Sequence, residues 1–214
     1  MLGLLVKDLM NLKQVAKQFL LIMVLYSVIF IPSGGSGFAG MIVMLSSILI
    51  LTAIGYDDKA RWDKYALSMP LTRRDLVVSK YLLLLLLNIA GAVMSLLILG
   101  IVSAVRHTVD FAGELGSVGV IAGLMMVMFS ILMPLLFKYG VEKARMLMIV
   151  CFLIPTLIIL GASYLSKQIP GGMAVFSSLE QLVTNSFWAV PIIGVLALIL
   201  SALCSIRIME RKDF

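Results

Sequence analysis

YDDKARWDKYALSMPLTRRDLVVSK, from Tyr56 to Lys80, is the long polar run in a chain that otherwise reads as one apolar segment after another. It carries six cations (Lys59, Arg61, Lys64, Arg73, Arg74, Lys80) and four anions (Asp57, Asp58, Asp63, Asp75), so it must lie in water. Its spacing is helical. Ala60, Lys64 and Leu67 recur at three and four residues, as do Arg61 and Tyr65, with Trp62 one turn before Ala66. That pattern predicts a short amphipathic helix along a membrane surface. Pro70 stops it, because the ring removes a backbone donor and disfavours helix in the residue before. Thr72 then reads as the N-cap of a new helix, with Asp75 completing a capping box. This second helix runs through Lys80 into the apolar stretch that follows.

Composition places everything else in a bilayer. Hydrophobic residues make up 62% of the 214 and charged ones 13%, with a mean hydropathy of +1.13. A soluble domain could not cover that much apolar surface. The expected fold class is an all-α integral membrane protein, one domain over 1–214. A net charge of +6 suggests nucleic acid in a soluble protein, but here orientation in the membrane accounts for it and no nucleic-acid partner is expected. Cys151 and Cys204 sit inside apolar runs, where packing is a better reading than a disulfide or a metal site.

Taken from the start, residues 1–17 alternate Leu2, Leu5, Val6, Leu9, Leu12 and Ala16 with Lys7, Asp8, Asn11, Lys13, Gln14 and Lys17, which predicts an interfacial helix. A short first span reaches Pro32, with Lys17 snorkelling to the headgroups. Further spans are expected over Phe38–Gly55, Tyr81–Val105, Glu114–Phe137, Met146–Leu165 and Phe187–Ile206, giving six. Between the last two, 166–186 reads either as a plain loop or as a re-entrant segment closing the outer end. Of the seventeen lysines and arginines, fifteen then fall on one face, leaving only Arg106 and Lys167 on the other. The positive-inside rule puts both termini and the loop 56–80 in the cytoplasm of a multi-pass membrane protein.

Chemistry of the chain's own is not written in it. No phosphate-binding G-x-x-x-x-G-K-[ST], G-x-S-x-G or H-E-x-x-H occurs, and the one histidine, His107, lacks partners at metal-ligand spacing. Catalytic residues, a metal and a cofactor bound by this chain are therefore not expected. The spans hold mild polar groups, among them Ser47, Asn88, Ser95 and Thr156, which are candidates for a translocation path or for interhelical hydrogen bonds. Gly119 with Gly123, and Gly91 with Ser95, mark close helix approach without saying whether the partner helix is in the same chain. Pro134 and Pro155 would bend their spans.

Asp57 and Asp58, Trp62, Tyr65, Leu67, Pro70, Arg73, Val77, Lys80 and Tyr81 together resemble the loop between the second and third spans of bacterial ABC-2 type permeases. The likeness is to the small six-span subfamily linked to export of, or immunity to, peptides, bacteriocins and phenol-soluble modulins. The resemblance implies a bacterial plasma-membrane exporter in which this loop is a coupling helix docking on a separate ABC ATPase, present in two copies and carrying the ATP and magnesium. It implies a second permease chain, as a homodimer, and a peptide or other hydrophobic cargo beside the membrane lipid. ATPase-coupling residues would be Asp57, Asp58, Arg61, Trp62, Tyr65, Leu67, Pro70, Arg73 and Lys80. The alternatives are export of lipid-like compounds or antibiotics by the same architecture, or a membrane scaffold or enzyme whose loop only sets topology.

Overall fold

The computed structural model describes residues 2–30, 38–66, 72–106, 111–141 and 189–211, together with isolated helical positions between 143 and 164. Among the described residues there are helices and no strands. The helices are α1 (Leu2–Phe30), α2 (Phe38–Lys59), α3 (Trp62–Ala66), α4 (Arg73–Arg106), α5 (Phe111–Tyr139) and α6 (Ala189–Glu210). Among the described residues, four stretches are long and apolar enough to cross a membrane: Gly40–Lys59, Arg73–Ile101, Leu115–Tyr139 and Ala189–Glu210. The protein is thus multi-pass. The expected fifth span and the possible re-entrant segment at 166–186 fall largely or wholly outside the described residues.

Residues 1–17 are continuous with the span that follows, since α1 runs unbroken from Leu2 to Phe30. Its buried positions, Leu4, Asp8, Leu12 and Met23, make a stripe one step round from the apolar stripe read in the sequence, and Val6 and Leu9 are exposed. The reason is electrostatic: Asp8 turns inward to meet Lys80 of α4, and the rest of α1 follows that rotation.

With apolar tails outside, the hydrophobic effect does not hold a bundle together in a membrane, and close packing and interhelical hydrogen bonds must do it. α5 and α6 pack closest. Gly123 lies against the backbone of Val190 and Pro191, and Gly194 against the Gly123 carbonyl and Met126. Phe129, Leu132 and Met133 fill the space between helices with essentially no exposure. Polar ties cross the same layers. The Ser201 hydroxyl donates to the Ser130 carbonyl of α5 and lies 2.7 Å from Tyr81 Oη of α4. Tyr81 Oη also lies 2.8 Å from Ser205 Oγ. A consistent proton order is Ser205 to Tyr81, Tyr81 to Ser201 and Ser201 to Ser130. Asn88 of α4 donates through Nδ2 to Ser47 Oγ of α2 at 3.0 Å and to the Ala122 carbonyl of α5 at 3.3 Å.

The entry of α4 matches the sequence reading. The Thr72 amide donates to Asp75 Oδ2 at 3.1 Å and the Asp75 amide to Thr72 Oγ1 at 3.2 Å, a reciprocal capping box. Thr72→Ala is expected to lower stability by about 1 kcal/mol. The check is thermal unfolding in lipid, where Thr72→Ser should behave as wild type.

Candidate transmission site

One end of the bundle gathers the start of α1, the end of α2, the start of α4 and the ends of α5 and α6. A cavity of about 40 Å³ there is lined by residues of all five, including Asp8, Asp57, Lys80, Val141 and Met209. The charged loop sits over this end.

Four charges make its floor. Lys80 Nζ of α4 donates to Asp8 Oδ2 at 2.7 Å and also to Asp57 Oδ2. Lys7 Nζ of α1 donates to Asp57 Oδ1 of α2 at 2.6 Å. Two cations and two carboxylates thus alternate with no net charge, and they tie three helices whose sequence positions are far apart. Burial is deep for ions: Asp8 is 1% exposed, Asp57 7% and Lys80 8%. Lys7 lies 3.1 Å from Asp8 Oδ1 as an ion pair. That contact lacks hydrogen-bond geometry, so Asp8 Oδ1 is buried without a hydrogen-bond partner among the described residues, as is Trp62 Nε1. Both residues face the cavity, which is large enough for water.

Trp62 is the roof. Lys7 Nζ stands 4.3 Å from the centroid of its ring, a cation–π contact. Ala66, one turn on in α3, is fully buried in the same core. Between α2 and α3 the chain turns sharply, with Arg61 at φ 48° and its amide bonded to the Asp58 carbonyl at 3.1 Å. Asp58 points the other way round the site. Its Oδ2 accepts from the Val141 amide at 3.1 Å, just past the left-handed Gly140 that ends α5.

The residues expected to couple to an ATPase therefore divide by position. Asp57 and Lys80 lie inside the ion cluster, Asp58 fixes the turn after α5, and Trp62 bridges loop and bundle. Arg61 and Tyr65 are exposed on the loop. Arg73 Nη1 donates to the Met209 and Glu210 carbonyls at 2.9 and 3.1 Å, closing the end of α6, while Arg74 pairs with Glu210 at 2.9 Å on the surface. Leu67 and Pro70 lie outside the described residues. Of the path candidates, Ser47 and Asn88 join α2 to α4 and α5, Ser95 bonds its own helix at the Ala92 carbonyl at 2.8 Å, and Thr156 is exposed.

Sequence reasoning assigned Lys7 and Asp8 to a solvated face and so missed half of the cluster. A signal was present: Asp8 lies four residues from both Leu4 and Leu12, in line with apolar residues rather than opposite them. A protein-family model described as ABC-2 family transporter protein matches residues 3–210. No curated protein matches the chain.

Proposed function

The chain belongs to the ABC-2 family of transporter proteins, which makes it the membrane permease part of an ABC transporter working with a separate ABC ATPase subunit, and we propose that it exports amphipathic or hydrophobic peptides from a bacterial cell. In this reading two identical permease chains sit on two ATPase copies, with both termini and the loop 56–80 in the cytoplasm. Six crossings are part of this reading, and the finish of both α5 and α6 at the charged end supports it.

The observation that carries coupling is the attachment of α3. Its Trp62 ring rests on Lys7, and Lys7 is bonded to Asp57, which Lys80 joins to Asp8. A push on α3 from an ATPase thus reaches α1, α2 and α4 through short, charge-assisted contacts that have little slack. From Lys80 onward α4 is continuous to Arg106, a rigid lever through the membrane. The exposed Arg61 and Tyr65 are the docking groups in this proposal, and Asp57, Asp58, Lys80 and Arg73 hold the lever in place behind them. Ser47, Asn88 and Ser95 have packing roles within one chain, so among the four path candidates we keep Thr156, on the exposed surface of the fifth span, for the cargo route.

The test is ATP turnover by the complex with its cognate ATPase in lipid. Trp62→Ala is expected to lower permease-dependent turnover several-fold while the two subunits still co-purify; Arg61→Glu is expected to weaken co-purification itself. Unchanged turnover and association in both variants would remove coupling through this loop.

A further inference from the structure

Two contacts fix how α1 stands beside α4. Asp8 meets Lys80 at 2.7 Å, and Met23 of α1 packs in one cluster with Met94 and Ile98 of α4. The two helices are therefore parallel, each α1 residue level with the α4 residue about 72 positions later. By that register Lys13 and Lys17 stand about 7.5 and 13.5 Å beyond Asp8. They lie alongside a part of α4 that has no charged residue between Lys80 and Arg106. Lys13, Gln14, Lys17 and Gln18 are all exposed and form one strip of α1. Two ammonium groups thus face outward level with the uncharged, apolar part of α4. α1 side chains lean toward the helix N-terminus, so both lysines reach back toward the charged end and its headgroups.

Next to this strip runs an apolar groove of about 550 Å³ between α1, α2 and α4, with Leu9, Phe19, Leu49, Leu87 and Met94 among its walls. Lys13 is the one charged residue lining it among the described residues. On α1 the groove extends from Val6 to Met23, about 26 Å of helix. That length and its apolar walls suit an extended acyl chain, and the neighbouring Lys13 and Lys17 suit an anionic head.

We propose that the α1–α2–α4 groove is a binding site for an anionic phospholipid of the cytoplasmic leaflet, with one acyl chain in the groove and the phosphate drawn to Lys13 and Lys17. The site needs neither the ATPase nor cargo, so it stands or falls apart from the transport reading.

The experiment uses the full-length protein in bilayers of equal phosphatidylglycerol and phosphatidylcholine with matched acyl chains, followed by native mass spectrometry of the lipids that stay bound. Wild type is expected to retain phosphatidylglycerol preferentially. Lys13→Gln with Lys17→Gln is expected to lower that preference roughly tenfold, in keeping with the attraction of a basic residue to an anionic leaflet, while phosphatidylcholine retention is unchanged. Ala90→Phe, which puts a ring into the groove wall, is expected to lower retention of both lipids. Equal retention of the two lipids by wild type, or a preference untouched by the double substitution, overturns the proposal. So does cross-linking between two copies through Ala90→Cys in place of Cys-free protein lacking it, which would show the groove closed by another chain.

Discussion

Lys80→Met is expected to cost the folded protein about 3–5 kcal/mol, the largest effect of any single substitution considered, because it leaves buried charge without a partner. Without Lys80 the carboxylates of Asp8 and Asp57, 1% and 7% exposed, share only Lys7. Neither can turn to water, since each is held on a helix face packed against the others. Asp57→Asn combined with Lys80→Met removes one charge of each sign and leaves the Lys7–Asp8 pair at 3.1 Å intact. That double variant is expected to be more stable than Lys80→Met alone, a sign reversal that no sum of independent losses produces. Thermal unfolding of the purified protein in lipid, with monodispersity as a second readout, measures the cycle. A double variant less stable than either single one would show that the four residues are not electrostatically coupled.

The cluster also gives a physical reason for placing ions where leucines would pack. In a bilayer, apolar faces of helices are interchangeable, and rotation of one helix about its axis changes little. Asp8 removes that freedom in α1, Asp57 in α2 and Lys80 in α4, since only one rotation of each brings the charges together. The same fixation is what a lever needs. Trp62 then connects α3 to a base that cannot rotate.

Much of this was legible from local pattern. The capping box at Thr72 and Asp75 was read to the residue, because both partners lie within one helical turn. The four apolar spans followed from composition, with ends displaced by up to four residues at α2 and α6; at α2, Asp57, Asp58 and Lys59 continue the helix rather than start the loop. The helix of the loop starts later, at Trp62, for the same reason. What local pattern could not supply was partners at a distance. Asp8 and Lys80 are 72 positions apart, and a charge on an amphipathic segment is by default assigned to water. Splitting α1 at Lys17 rests on the same default: the charges of its first half mark a polar face, whereas the helix runs unbroken from Leu2 to Phe30. Ser47 and Asn88 were recognised as polar groups of the spans, but which helices they join depends on register that no single span reveals.

Gly123→Ala is expected to destabilise the protein by about 1–3 kcal/mol, and Gly119→Ala, in the same G-x-x-x-G pair, to be neutral or slightly stabilising. A Cβ at Gly123 would stand 2.7 Å from Val190 C and Pro191 N and 2.8 Å from Val190 O. These are backbone atoms of α6, which no rotamer change can move, so the helices must separate, an overpacking cost of this size. Separation would also stretch the Ser201–Ser130 hydrogen bond and, through it, the tie to Tyr81. At Gly119 the nearest atom is Pro191 Cγ at 4.0 Å, an ordinary contact. There the better helix propensity of alanine, up to about 1 kcal/mol, is the main term. The sequence marked both glycines alike and could not name their partner. Gly194, which lies against Gly123 from α6, belongs to no such motif and gave no signal. Thermal unfolding of the two variants side by side in lipid decides the matter. If both lose stability equally, the motif serves a contact other than the one between α5 and α6, and the close pair within this chain is not what holds its helices in place.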